Sequence, residues 1–143
     1  MKKDIIIELK SSIESSGESE NIEITTRGKL LAKEDAVFLS YKETEQSGYD
    51  GCTVLIKAEG NDRVTISRSG DANSHLLCEK GKRNLCSYST PHGALTLGVT
   101  CGQIKNELND DGLGKLSFSY ELDVNGGLIG KNKLSIKIRE CTN

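Results

Sequence analysis

Residues 116–123 read Leu-Ser-Phe-Ser-Tyr-Glu-Leu-Asp, and they are the clearest indication of the fold because their apolar and polar side chains alternate without a break. A period of two residues is typical of a β-strand that has one face buried and one face in water. The alternation returns after residues 125–127, Asn-Gly-Gly, where leucine and isoleucine at positions 134, 136 and 138 interleave with lysine, serine and arginine. The C-terminal part of the chain is therefore predicted to form two β-strands joined by a turn.

The N-terminal part repeats the pattern. Residues 5–9 place isoleucine and leucine at alternate positions and predict a first strand, and the polar residues 14–20 predict a long loop after it. Residues 22–30 predict a second strand. Within it, Gly28 predicts a bulge or bend, because the alternation changes phase near Leu30.

The middle of the chain predicts further short strands. Residues 52–58 and 64–68 alternate and are joined by Gly60-Asn61-Asp62, which predicts a β-hairpin. Pro91 predicts the end or a kink of a later strand, because proline cannot donate to a sheet hydrogen bond. In total we predict an all-β chain of about eight to ten strands.

Two architectures can hold that many strands, a sandwich or a meander that closes on itself. A closed meander removes the exposed sheet edges, and no long crossover connection of the kind a Greek key needs is visible. We therefore predict a single antiparallel meander barrel that spans residues 1–143 as one domain. With two phenylalanines, four tyrosines and no tryptophan, its core is predicted to consist mainly of isoleucine, leucine and valine.

Charge and targeting features limit the classes of partner. A net charge of −2 lacks the basic footprint of a nucleic-acid binder, so no nucleic-acid partner is predicted. No apolar run approaches membrane-spanning length, and the run at residues 5–7 is too short for a signal peptide. The five cysteines are odd in number and widely spaced, as expected of reduced thiols. These features predict a cytoplasmic protein with no membrane partner and free cysteines; the sequence leaves the oligomeric state open.

Three short stretches resemble a known family. They are Val-Thr-Ile-Ser-Arg-Ser-Gly at residues 64–70, Tyr-Ser-Thr-Pro-His-Gly at residues 88–93 before the alternating strand 95–101, and Tyr-Lys-Glu at residues 41–43. Together they resemble the YwiB-like family of small bacterial proteins, over most of the chain from the second strand onward. His92 departs from the pattern, since tyrosine is commoner there. The resemblance implies a calycin-like, lipocalin-like β-barrel in an uncharacterised bacterial family.

Two charged residues fall in phase with apolar, inward positions. Glu43 shares its face with Val37, Leu39 and Tyr41, and Arg68 follows the inward positions of its own strand. An inward charge needs a partner. One hypothesis is that Tyr41, Glu43, Arg68 and Tyr88 line one mouth of the barrel and bind a polar or anionic end of a small ligand. The other is a structural ion pair that closes the barrel end, or strand ends that reach solvent.

Residues 88–93 admit two interpretations as well. The strand breaks at proline and restarts at glycine, which is typical of a barrel corner. Alternatively, Tyr88, Thr90 and His92 present polar groups at a rim and bind ligand there, because binding residues often lie beside such irregularities.

Metal, cofactor and catalytic motifs are not recognisable. The cysteines lack the spacing of a zinc site, and a haem held by one histidine would find little aromatic lining. No nucleophile elbow selects a serine, and the Gly126-Gly127 turn lacks the helix and lysine of a phosphate loop. We therefore predict no metal and no cofactor.

The sequence leaves three functional hypotheses. The first is non-enzymatic binding of a small molecule in or at the mouth of the barrel. The second is a barrel packed solid with side chains, which would act through its outer surface as a protein-interaction or structural module. The third is an enzyme in which Glu43 is the base and Arg68 or Tyr88 stabilises charge.

Overall fold

The computed structural model describes residues 2–43, 51–70, 73–90 and 93–141, and for residues 88–90 it describes the backbone. Ten strands follow one another along these residues: β1 Lys2–Ser15, β2 Glu18–Ala32, β3 Val37–Lys42, β4 Thr53–Glu59, β5 Arg63–Ser69, β6 Ser74–Glu79, β7 Arg83–Thr90, β8 Gly93–Leu108, β9 Gly114–Val124 and β10 Gly127–Glu140. The described residues include no helix long and apolar enough to cross a membrane.

The ten strands close into one barrel. Each strand is antiparallel to its neighbour in sequence, and β1 pairs with β10 from Ile5↔Glu140 to Glu14↔Lys131 to complete the ring. Every strand therefore has a partner on both sides, which removes the exposed edges of an open sheet. The prediction of an all-β, antiparallel meander barrel is confirmed, and the sandwich is excluded.

The interior follows from the alternation. On β1 and β10 the pairs Ile7↔Ile138 and Leu9↔Ile136 point inward, and all four side chains are at most 7% exposed. Leu116, Phe118 and the other inward residues of β9 continue the same layer. The core is aliphatic for the most part, as predicted, because an alternating strand delivers every second side chain to the same face.

The predicted long loop at residues 14–20 is wrong. β1 continues to Ser15 and β2 begins at Glu18, so only Ser16 and Gly17 form the turn. Both have positive φ, 53° and 81°, the combination that a type I′ hairpin turn requires. The flanking side chains are exposed, so polar residues occupy both faces of this hairpin tip and the alternation that reveals a strand disappears.

The predicted bulge at Gly28 is also wrong. β2 pairs with β1 in unbroken register from Lys2↔Leu31 to Ser15↔Glu18, and Gly28 itself lies opposite Ile5 and Tyr41. The phase does not change, because Leu30 is buried in the same inward series. Gly28 is an inward position with no room for a side chain: a Cβ there would lie 2.7 Å from Ile7 Cδ1 and closer still to the backbone oxygen of Ser40.

An irregularity that the sequence did not predict lies in β8. The register with β9 shifts between Cys101 and Ile104, so Gly102 and Gln103 face the single residue Ser119. An extra residue in one strand bends it and increases its twist. This bulge re-aims the outer face of β8, where one of the two grooves described below lies.

Two cysteines contradict the prediction that all five are free thiols. Cys78 of β6 and Cys101 of β8 form a disulfide, with their Cα atoms 5.0 Å apart. Cys86 and Cys141 are free thiols, as predicted. The pair is 23 residues apart in sequence and comes together because both side chains point into the barrel, so spacing along the chain gave no sign of it.

Candidate functional site

The predicted inward positions of β3 and β5 are confirmed for the residues that the structure describes. Tyr41 lies opposite Val54, Val54 lies opposite Arg68, and Arg68 lies opposite Ser74. These residues form one row across β3, β4, β5 and β6, near the end of the barrel at which β3 and β5 stop. We call this end, defined by Tyr41, Glu43 and Arg68, the mouth.

Glu43 and Arg68 form an ion pair at the mouth. Arg68 Nη2 donates to Glu43 Oε1 at 3.3 Å, and the two side chains are 17% and 4% exposed, respectively. Arg68 Nη1 also donates to Ser74 Oγ at 3.4 Å. The backbone of Glu43 is fixed just beyond β3, because its N–H donates to the Cys52 carbonyl at 2.8 Å. Each inward charge therefore has the partner that its burial demands.

Two tyrosines extend the polar layer into the barrel. Burial raises the pKa of the Tyr41 phenol well above its usual range; the Glu43 carboxylate and Tyr120 raise it further, and Arg68 opposes them. Tyr120 is 7% exposed, and its hydroxyl accepts from Asn132 Nδ2 at 3.1 Å. Tyr41 therefore stays protonated over the whole physiological range and acts as a hydrogen-bonding group, not as a base.

The remaining predicted site residues are described less fully. The backbones of Tyr88 and Thr90 lie in β7, where Tyr88 pairs with Ser74 and with Leu95. The row that carries Arg68 thus continues to the backbone of Tyr88. The side chains of Tyr88 and Thr90, and all of His92, lie outside the described residues.

Two large grooves lie on the outer wall. The first, of about 560 Å³, crosses the five strands β2, β1, β10, β9 and β8. Its lining includes Lys10, Lys105, Lys115 and Lys133 around Ser117 and Ser135, and we call it the lysine groove. The second, of about 490 Å³, lies beside β2 and β3; its lining includes the outward residues Arg27, Lys29 and Lys42 together with the inward residues Gly28 and Tyr41. Neither groove was predicted, because outward lysines and serines look like an ordinary solvated face in sequence.

A second ion pair, between Arg83 and Asp123, was not predicted from the sequence. Arg83 of β7 meets Asp123 of β9 through two contacts, Nε to Oδ1 at 3.0 Å and Nη2 to Oδ2 at 2.7 Å. The pair reaches across β8 and passes over Gly98. A side chain at this position would clash with the pair, since a Cβ there would lie 2.6 Å from Arg83 Nε. Asp123 Oδ2 also accepts from the Gly126 N–H at 2.9 Å, which closes the β9–β10 turn. An aspartate two residues before Asn125-Gly126 was the available signal, since such side chains often cap turns.

This ion pair makes stability depend on pH. The hydrogen bond from Arg83, and then that from the Gly126 N–H, lower the pKa of Asp123. A carboxyl whose pKa is lower in the folded chain stabilises the fold above its unfolded value of about 3.9, and that contribution is lost as the pH falls through the folded value. We expect Asp123→Asn to be less stable than wild type at neutral pH, with the difference shrinking below about pH 4.

Urea unfolding at a series of pH values measures this difference. The matched control is Asp110→Asn, which removes an exposed carboxylate from the turn that precedes β9. We expect the control to follow wild type at neutral pH. If the difference in free energy of unfolding between Asp123→Asn and wild type were the same at every pH, a role for the charge of Asp123 would be contradicted.

The arrangement at the mouth has limited chemical scope. A guanidinium and a carboxylate in contact form a site of low net charge that can donate through Arg68 and accept through Glu43. Tyr41 and Ser74 add hydroxyl groups on the same row. Among the described residues, no three histidine, cysteine, aspartate or glutamate side chains come together to hold a metal ion. The site suits recognition of a polar group by hydrogen bonds.

Comparison with known proteins gives one consistent result. The model of the family described as "Domain of unknown function (DUF1934)" matches residues 7–136. The "Uncharacterized beta-barrel protein YwiB" of Bacillus subtilis (strain 168) is 31% identical over 120 residues, which is 84% of this chain and 82% of that protein. The crystal structure of the ywiB protein from Bacillus subtilis superposes with a TM-score of 0.75 at 24% identity, covering 99% of this chain and 94% of that one. The chain therefore belongs to the DUF1934 family of β-barrel proteins, which confirms the resemblance drawn from its sequence.

Proposed function

We propose that this protein binds a small polar molecule, without chemical conversion, at the mouth of its barrel. The observation that carries the proposal is the buried Glu43–Arg68 pair, which lies at the end of a mostly aliphatic interior. A buried ion pair adds little net stability compared with well-packed apolar side chains. A role in recognition is a reason for the chain to keep two charges there.

The shape of the interior supports the mouth over the middle of the barrel. Leu39, Ile56 and Ala58 are each 1% exposed and pack in one cluster with the inward side chains of the opposite strands. Polar groups collect above this cluster, where Tyr41, Arg68 and Ser74 share a row. A ligand with one polar end would bind through Arg68 and Tyr41 and cover the top of the aliphatic core. In this proposal Tyr88, Thr90 and His92 contribute from the rim.

Native mass spectrometry of protein purified gently from the organism that encodes it tests the proposal. We expect wild type to carry a bound small molecule and the double variant Glu43→Gln/Arg68→Met to lose it. The double variant should keep its free energy of unfolding within about 1 kcal/mol of wild type, because removing both charges leaves no isolated buried charge.

The matched control is Arg63→Met. Arg63 begins the same strand at the opposite end of the barrel and pairs with Glu79 at 3.1 Å. The Arg63→Met variant should keep the bound molecule. Wild-type protein without a bound molecule, or a double variant that still holds it, would show that the ion pair only closes the barrel end.

The packed interior also favours a second candidate, an interaction module that acts through the outer wall. Val124, Leu128 and Ile129 form an exposed apolar tip on the β9–β10 hairpin, with 40%, 55% and 43% of each residue exposed. Chemical cross-linking in cells would detect a protein partner at this tip. The first proposal also includes a cytoplasmic location and a calycin-like, lipocalin-like relationship, as the sequence led us to expect.

A further inference from the structure

The centre of the lysine groove is a row of four residues on neighbouring strands. Lys10 of β1 lies opposite Ser135 of β10, Ser135 lies opposite Ser117 of β9, and Ser117 lies opposite Lys105 of β8. Adjacent strands are about 4.8 Å apart, so the row is about 14 Å long. The two short serine side chains therefore form the bottom of the groove, and the two longer lysine side chains extend from the surface on either side of them.

Two further lysines lie along the strands from these two serines. Lys133 is two residues from Ser135 on β10, and Lys115 is two residues from Ser117 on β9. Residues two apart on a strand share a face and lie about 6.8 Å apart. The two central serines are therefore surrounded by lysine on four sides.

The charges of this surface are unbalanced. The lining of the lysine groove includes four lysines and one carboxylate, Glu23, which lies 3.9 Å from Lys10. Among the described residues, Lys115 and Lys133 form no ion pair, whereas Lys10 and Lys105 each have a carboxylate at 3.9–4.0 Å. Lys115 lies directly opposite Lys137 on β10, where like charges destabilise a sheet, and opposite Glu107 on β8, which is the carboxylate 4.0 Å from Lys105. A basic patch of this kind is unexpected in a chain with a net charge of −2.

Neutral donors and acceptors complete the lining. The bulge of β8 brings Gln103 into the groove, and its N–H donates to Ser119 Oγ at 3.4 Å. Bulges recur next to binding sites because they re-aim side chains. A groove of about 560 Å³ falls within the range of small-ligand sites.

We propose that the lysine groove binds a small anion that carries two or more phosphate groups. Lysine ammonium groups bind phosphate as point charges, and several of them around hydroxyl donors suit a compact ligand with charges spaced a few ångströms apart. An extended nucleic acid fits less well, because the one aromatic residue in the lining, Phe118, is 3% exposed and offers no ring on which a base could stack. The site is separate from the mouth and does not depend on a ligand there.

Isothermal titration calorimetry of the full chain with sodium tripolyphosphate in phosphate-free buffer tests this proposal. We expect saturable binding with one site per chain, weaker binding at higher salt, and weaker binding of orthophosphate. Lys115→Gln/Lys133→Gln should weaken binding of tripolyphosphate at least about tenfold, because it removes two charge-assisted contacts. Tripolyphosphate should also raise the melting temperature of wild type more than that of this variant.

Two control variants make the result specific. Lys3→Gln/Lys82→Gln removes the same charge from exposed lysines paired with Glu140 and Glu79, and should bind tripolyphosphate like wild type. Glu43→Gln/Arg68→Met should also bind it like wild type, which separates this site from the mouth. Absence of saturable binding, or equal weakening in the Lys3/Lys82 control, would overturn the proposal. Tighter binding of single-stranded DNA than of tripolyphosphate, lost in Lys115→Gln/Lys133→Gln, would overturn the assignment to a small anion.

Discussion

Ile7→Ala is expected to lower the free energy of unfolding by about 3–4 kcal/mol, near the middle of the range of roughly 2–5 kcal/mol for truncating a buried isoleucine or leucine to alanine and leaving a cavity. Ile7 is 0% exposed, and its neighbours on the adjacent strands are Thr26 and Ile138. The barrel closes at this strand pair, so the surrounding backbone is held on both sides and cannot collapse into the space. Urea unfolding followed by far-ultraviolet circular dichroism measures the change. The free energies of wild type and variant can be compared if the dependence of the free energy of unfolding on urea concentration has the same slope in both.

The neighbouring residue provides the control. Ile6 has the same side chain but faces outward and is only partly buried. We expect Ile6→Ala to cost about 1 kcal/mol or less, since surface substitutions remove little buried area. Equal effects of the two substitutions would contradict the assignment of Ile7 to the inside of the barrel and Ile6 to the outside.

Gly28→Ala is expected to cost about 3 kcal/mol, near the upper end of the effects of overpacking, for a reason opposite to that of Ile7→Ala. One added methyl group would lie 2.7 Å from Ile7 Cδ1 and still closer to the Ser40 carbonyl oxygen. The Ile7 side chain can rotate, but the Ser40 carbonyl belongs to the paired strand β3 and cannot move without breaking the ladder. Thermal and urea unfolding of the variant measure the cost.

Gly127→Ala is the control for Gly28→Ala. The nearest atom to a Cβ at Gly127 is the Val124 carbonyl oxygen at 3.4 Å, an ordinary contact. We expect a change below about 1 kcal/mol there. A Gly28→Ala protein as stable as Gly127→Ala would show that β2 and β3 do not approach as closely as the structure has them.

The double variant Ile7→Ala/Gly28→Ala sharpens both predictions. Truncation of Ile7 removes the Cδ1 atom that the new methyl group would meet, and that methyl group partly fills the cavity left behind. The combined loss of stability should therefore be smaller than the sum of the single losses by about 1 kcal/mol or more, because residues in contact are not additive. Additive losses would contradict direct contact between the two positions.

Most of the mouth could be predicted from the alternation of inward and outward residues along each strand. Tyr41 and Arg68 occupy inward positions of alternating strands, and the structure places them in one row with Glu43 in contact. The lysine groove could not be predicted in this way. Lys10, Lys105 and the two serines between them come from four strands, and only the register of those strands brings them into line.

The errors have the same origin. Residues 14–20 looked like a loop because a hairpin tip that is exposed on both faces has no need to alternate. Gly28 looked like a bulge because the sequence does not show that Ser40 and Ile7 occupy the space of its absent side chain. Cys78 and Cys101 looked like free thiols because β6 and β8 approach each other only in the folded barrel, and the spacing of the two cysteines along the chain does not show it.

By itself the sequence determined the strands, their inward faces and the aliphatic core, because the two-residue period of a strand is a local property written in consecutive residues. The folded barrel was needed to reveal the register at which β1 closes on β10, the Arg83–Asp123 bridge over Gly98, the disulfide and the lysine groove. Each of these depends on which residue of one strand lies beside which residue of another. That register is fixed by packing the whole ring at once, and no single segment contains it.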